Sequence, residues 1–179
     1  MKTLADHILD IVQNSIRANA TLIEIIVEED KKNDRCTLRI GDNGCGMSAE
    51  VLEKVTNPFF TTRKTRKVGL GLSLLKQNAE MANGRFNIRS ELNKGTEVEA
   101  TFQLSNFDRP ELGEVWDIFY LTMLANKNVE IIYGHKTNKG SYKISSTEIM
   151  ENTGGVSLQQ TEIREAITDL IKNNITDIQ

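Results

Sequence analysis

Ile40-Gly-Asp-Asn-Gly-Cys-Gly-Met47 is the stretch on which the fold turns. Ahead of it, residues 35–40 (Arg-Cys-Thr-Leu-Arg-Ile) alternate as a half-buried strand does. Behind it, Ser48-Ala-Glu-Val opens a capped helix, so the run is a strand-to-helix turn. Such turns are where α/β proteins hold ligands. Gly44 and Gly46 permit positive φ and let the backbone come close to a bound molecule. Asp42 is the only charge in the run. A carboxylate fixed at the end of a buried strand suits an amine donor such as the exocyclic nitrogen of adenine, because burying it without a donor is costly. The same residues also satisfy a plain Asx turn with no ligand, and the run alone does not separate the two.

At 179 residues the chain can bury one sizeable core, or one core and a small appendage. A net charge of -3 with the signs mixed gives no basis for broad electrostatic binding to nucleic acid or an anionic membrane. No apolar run is long enough to span a bilayer, and the first seven residues lead into an amphipathic pattern, not a signal peptide; the expected compartment is the cytoplasm. Cys36 and Cys45 form no C-x-x-C pair and have no His at metal-ligand spacing, so both are expected to be reduced and packed. The one compositional seam lies near Ser105-Asn-Phe-Asp-Arg-Pro110, dividing residues 1–105 from an accessory unit at residues 106–179.

Residues 4–20 read as a helix with an apolar stripe of Leu4, Ile8, Ile11, Val12 and Ile16. A second stripe is polar: His7, Asp10, Asn14 and Arg17 recur at three- and four-residue steps, so Asp10 and Asn14 project together. A solvated face explains such a stripe, but Asn gains nothing at mid-helix without a partner for its amide. A carboxylate one turn from an amide oxygen suits a magnesium ion, a hard cation that keeps waters and phosphates in its shell. Residues 21–28 and 36–41 read as adjacent strands around a charged loop. A short helix over residues 49–55 ends before Pro58. The basic segment Pro58-Phe-Phe-Thr-Thr-Arg-Lys-Thr-Arg-Lys-Val-Gly-Leu-Gly71 then runs into a helix over residues 70–81. Its cations and its glycines at a helix N-terminus suit a phosphate-binding lid; an exposed basic loop is the alternative. Gly84 is expected as the left-handed cap of that helix, and two strands with one buried face follow at residues 85–91 and 96–104. Beyond them come a helix (residues 111–124), a hairpin (residues 129–135 and 141–146) and a last helix (residues 161–171), an α-β-β-α unit. His135 suggests a phosphoacceptor, although a lone strand histidine is usually structural.

In this order the segments resemble the GHKL superfamily of ATP-binding domains, shared by DNA gyrase B, MutL, sensor histidine kinases and the anti-sigma-factor serine kinases. Asp10-Ile-Val-Gln-Asn14 is similar to its N-box, Asp42-Asn-Gly-Cys-Gly46 to its first glycine box, Phe59-Phe-Thr-Thr62 with Gly69-Leu-Gly-Leu72 to the lid and second glycine box, and Lys94-Gly-Thr96 to its final Gly-Thr element. The resemblance implies an α/β fold of the Bergerat type: a two-layer α+β sandwich with a mixed, mostly antiparallel sheet covered on one face by helices, here carrying a C-terminal α-β-β-α extension. It implies that Asp42 receives the adenine amine with support from Thr96, and that Asn14 binds the magnesium bridging the phosphates. Asp10 stands where relatives carry a Glu that activates the attacking group. Gly44, Gly46, Gly69, Gly71 and Leu72 would meet the nucleotide, with Thr62, Arg63 and Lys67 near the phosphates when the lid closes.

The chain departs from whole relatives in ways that bear on function. No dimerising hairpin with a phosphoacceptor histidine precedes the N-box, so a complete sensor kinase is not expected, and the residues after Leu104 look too few for the lysine-delivering domain of gyrase and MutL. Gly44-Cys-Gly46-Met-Ser-Ala49 fits a dinucleotide-binding pattern, but the acidic strand end it needs is replaced by Thr65-Arg-Lys67, and no Walker A sequence occurs. The expected function is that of a signalling kinase or ATPase subunit that uses Mg-ATP with a protein partner. The alternative is a nucleotide-gated binding module with little or no chemistry. The reading leaves homodimerisation open.

Overall fold

The computed structural model describes residues 1–57, 70–154 and 157–179. Helix α1 (Leu4–Arg17) starts from a capping box: the Thr3 hydroxyl accepts the Asp6 N–H and the Asp6 carboxylate accepts the Thr3 N–H. The N–H groups of Leu4 and Ala5 donate to the carbonyls of Glu111 and Leu112, so a distant segment completes the helix start.

Strands β1 (Leu22–Asp30), β2 (Arg35–Asp42), β3 (Arg85–Glu91), β4 (Gly95–Gln103), β5 (Glu130–Thr137) and β6 (Ser141–Ser145) form one sheet in the order β3-β4-β2-β1-β5-β6. Every neighbouring pair is antiparallel except β1 and β5, which run parallel. The register brings the buried alternates into rows, Tyr133–Ile25–Ile40–Val98 and Val27–Leu38–Ala100 among them. Each buried Val, Leu or Ile in these rows contributes about 1.5–3 kcal/mol. The opposite face carries the ion pairs Arg39–Glu99, Arg89–Glu97, Lys136–Glu28 and Lys143–Glu24, a surface suited to water.

The helices pack on the apolar face, in agreement with the expected two-layer α/β architecture. These are α1, α2 (Ala49–Lys54), α3 (Gly71–Met81), α4 (Val115–Ala125), α5 (Ser146–Asn152) and α6 (Thr161–Ile178). The α-β-β-α elements expected after Leu104 are present as α4, β5, β6 and α6. Two features differ from the sequence reading: the hairpin β5–β6 extends the main sheet through β1, and α5 stands between β6 and α6. α5 has its own capping box, Ser145 with Glu148. At the end of α3 it is Asn83 that takes the left-handed conformation, with φ 55, and not Gly84. Gly84 is required for another reason, since a Cβ there would overlap the Thr101 carbonyl of β4. Among the described residues no helix is long and apolar enough to cross a membrane.

Candidate functional site

A cavity of about 490 Å³ opens between α1, the turn after β2, the start of α3 and the ends of β3 and β4. It is in the size range of small-molecule sites. Asp42, Thr96, Asp10, Asn14, Gly71 and Leu72 all line it, so residues far apart in sequence meet at one hollow.

At one end, Asp42 terminates β2 directly opposite Thr96 on β4. Oδ1 of Asp42 accepts the Gly44 N–H at 2.9 Å, which is the Asx turn, and Oδ2 accepts the Ser15 hydroxyl at 2.6 Å. Each oxygen therefore keeps lone-pair capacity for a further donor. The turn is fastened to β1 by Asn43, whose Oδ1 accepts the N–H groups of Thr21 and Leu22. Gly44 lies against Ala18 of α1, and its φ is not positive. Gly46 does take a positive φ of 61, and a side chain there would overlap the Glu91 carbonyl. The Met47 N–H donates to Ser90 Oγ at 2.8 Å, and Ser90 Oγ lies 2.9 Å from both Thr96 Oγ1 and the Gly95 carbonyl. Both cysteines are free thiols, but only Cys36 is packed, and burial pushes its pKa up to about 11; Cys45, expected to be packed as well, is instead exposed at the cavity.

At the other end, Asn14 Nδ2 lies 3.4 Å from Asp10 Oδ2 and Asn14 Oδ1 accepts from Arg17 Nη1 at 3.1 Å, so three members of the polar stripe do act together. Gly71, the first residue of α3, comes so close to the Asp10 carboxylate that a Cβ would overlap it. His7 leaves the stripe. It is fully buried beneath α3, with Nε2 2.9 Å from Asn78 Nδ2, and burial lowers its pKa to about 4. Thr62, Arg63, Lys67 and Gly69 lie outside the described residues.

For a magnesium ion the donor set is oxygen only: the Asp10 carboxylate and the Asn14 amide. Among the described residues no cluster of three or more His, Cys, Asp or Glu side chains could hold a metal by itself. Two hard oxygens at a cavity wall fit an ion that arrives with phosphates and water. His135 is 1 % exposed, its Nδ1 bonded to the Tyr133 hydroxyl at 2.8 Å, which removes it from reach as a phosphoacceptor.

Two hydroxyls escaped the sequence reading, Ser15 and Ser90. The signal was present: Ser15 continues the spacing of Leu4, Ile8 and Ile11, and Ser90 continues Phe86 and Ile88, so each is a polar group at an inward position that demands a partner.

Comparison with known proteins bears on the fold and the family. A putative sensor protein of Shewanella frigidimarina is 38% identical over 103 residues, which are 56% of this chain and 16% of that protein. Sporulation kinase D of Bacillus subtilis is 30% identical over 109 residues, 59% of this chain and 21% of that protein. The chain thus spans about a fifth or less of the length of these relatives. In fold it resembles the Aquifex aeolicus MutL ATPase domain solved with ADP (TM-score 0.50, 21% identity, 80% of this chain and 64% of that one). The N-terminal domain of a DNA repair protein is similar too (TM-score 0.55, 19% identity, 81% of this chain and 52% of that one). The sequence profile that covers residues 2–106, more than half of the chain, is that of the histidine kinase-, DNA gyrase B- and HSP90-like ATPases, and to that family the chain belongs.

Proposed function

We propose that the chain binds Mg-ATP and serves as a kinase-like or ATPase subunit in signalling, acting with a protein partner that supplies the phosphoacceptor or regulatory part. The observation that carries this reading is the polarity of the cavity. A fixed carboxylate, Asp42, stands at one end, and an Asp10–Asn14 oxygen pair faced by a helix N-terminus stands at the other. Asp42 accepts the adenine amine. Asn14, with Asp10 one turn away, would hold magnesium, which when bound would neutralise phosphate charge. Asn14 Oδ1, which accepts from Arg17, is the oxygen that would hold the ion, and the N-terminus of α3 at Gly71 favours anionic phosphates beside it. Asp10 also acts as general base toward water or an acceptor hydroxyl. Thr62, Arg63, Lys67 and Gly69 are assigned to the lid.

Incubation with γ-labelled ATP, alone and with candidate partners, tests the catalytic part. Phosphate release or transfer is expected to fall about 100-fold in Asp10→Asn. Equal turnover in the two proteins would overturn it.

The second reading, a nucleotide-gated binding module, is favoured by the His7–Asn78 contact, which ties α3 to the helix that carries Asp10. Partner affinity measured with ATP and with ADP separates the two: equal affinities remove the gate, since a ligand shifts only states it distinguishes.

A further inference from the structure

Ser90 Oγ has three neighbours and one hydrogen. It accepts the Met47 N–H at 2.8 Å and lies 2.9 Å from both the Gly95 carbonyl and Thr96 Oγ1. A carbonyl can only accept, so the arrangement that leaves no group short has Ser90 donating to Gly95 and Thr96 donating its own hydrogen to Ser90. In the other arrangement, with Ser90 donating to Thr96, the Gly95 carbonyl loses its hydroxyl donor and the Thr96 hydrogen is set loose.

The favoured arrangement fixes the character of Thr96. With its hydrogen spent on Ser90, Thr96 Oγ1 has only lone pairs to offer the cavity it lines. Asp42, opposite it in register, is likewise an acceptor, its two oxygens already taking the Ser15 hydroxyl and the Gly44 N–H. The polar side-chain wall formed by these two residues at the ends of β2 and β4 thus carries acceptors alone. A purine 6-amine held against these two residues complements them, and a 6-carbonyl in the same place meets lone pair against lone pair.

We propose that Ser90 is a positioning residue that sets ligand preference through Thr96: by holding the Thr96 hydrogen away from the cavity, it makes the site select a 6-aminopurine nucleotide over a 6-oxopurine one. This rests on the reading above that Asp42 meets the purine. Ser90 itself is reached from the turn after β2 and from β4 and is not among the residues that line the cavity.

The test is a titration of the full chain with Mg-ATP and with Mg-ITP, in which a 6-carbonyl replaces the 6-amine and N1 carries a hydrogen, in the parent, Ser90→Ala and Ser90→Thr. Removing the hydroxyl frees the Thr96 hydrogen to point into the cavity and donate to the 6-oxo group. The parent prefers ATP, the ATP-to-ITP affinity ratio falls about tenfold in Ser90→Ala, and Ser90→Thr restores it. A purely structural role would weaken both nucleotides together, so an unchanged ratio in Ser90→Ala overturns the inference while leaving nucleotide binding intact. Should Ser90→Ala not fold, Ser90→Cys, with its weak hydrogen bonding, gives the same readout: a partial fall supports the proposal and no fall overturns it. A parent that binds neither nucleotide fails before any variant is compared, and that outcome removes the purine-site reading and this inference with it.

Discussion

Acidification should loosen the fold through His7. The ring is fully buried between α1 and α3, and Asn78 Nδ2 can only donate, so His7 Nε2 is the bare acceptor nitrogen and the ring is neutral with its hydrogen on Nδ1. Burial is the main cause that holds its pKa down at about 4, aided by the Met1 ammonium and opposed by the carboxylates of Asp6 and Asp10. A folded value below the unfolded one of about 6.5 means that protons bind the unfolded chain first. The contribution of His7 is therefore complete above about pH 6.5 and is lost as pH falls toward 4. At about 1.4 kcal/mol per pKa unit, the loss by pH 4.5 is on the order of 2–3 kcal/mol, a sizeable part of a typical domain stability. The assay is urea unfolding at pH 7.5 and pH 4.5 in the parent and in His7→Gln, which keeps an acceptor for Asn78 and cannot gain the proton. His135, whose pKa burial also lowers, is present in both proteins and cancels in the difference. The parent should lose about 2–3 kcal/mol more than His7→Gln. Equal losses would refute the assignment of His7 as a buried neutral side chain.

Two further outcomes follow from close contacts. Gly84→Ala, which drives a methyl into the Thr101 carbonyl, should cost at least about 1–3 kcal/mol in thermal or urea unfolding, while Gly41→Ala, which meets nothing within 4 Å, should be neutral or slightly stabilising; similar melts for both would contradict the packing described. Ser15→Ala removes the 2.6 Å donor to Asp42 and should weaken Mg-ATP binding about tenfold with the fold retained, as read by calorimetry; unchanged affinity would mean that Asp42 needs no such support.

Much of this arrangement is written in local periodicity. The stripe Leu4–Ile8–Ile11–Val12 and the alternation along β1 and β2 mark their buried faces without any tertiary knowledge, and Asp10, Asn14 and Asp42 do line one cavity. What the sequence concealed was non-local. The parallel pairing of β5 with β1 joins residues 130–137 to residues 22–29, and nothing in either strand names its partner. His7 sits at the spacing of a solvated polar stripe, and only the packing of α3 on α1 turns it inward. Asn83 and Gly84 exchange roles because Asn tolerates the left-handed conformation and the glycine is needed where β4 passes close by. Ser15, Ser90 and the Ser145–Glu148 capping box of α5 were legible in principle: the first two as polar side chains at inward positions, the third as a Ser followed three residues later by Glu.

In the proposed complex Asp42 and the Asp10–Asn14 pair grip opposite ends of one nucleotide. Titration of Mg-ATP into the parent and into Asp42→Ala, with circular dichroism confirming that both are folded, tests it most directly. Saturable binding to the parent is expected, with a loss of at least about tenfold in Asp42→Ala, the effect of removing a charge-assisted bond inside the cavity. Equal affinity in the two proteins would contradict it.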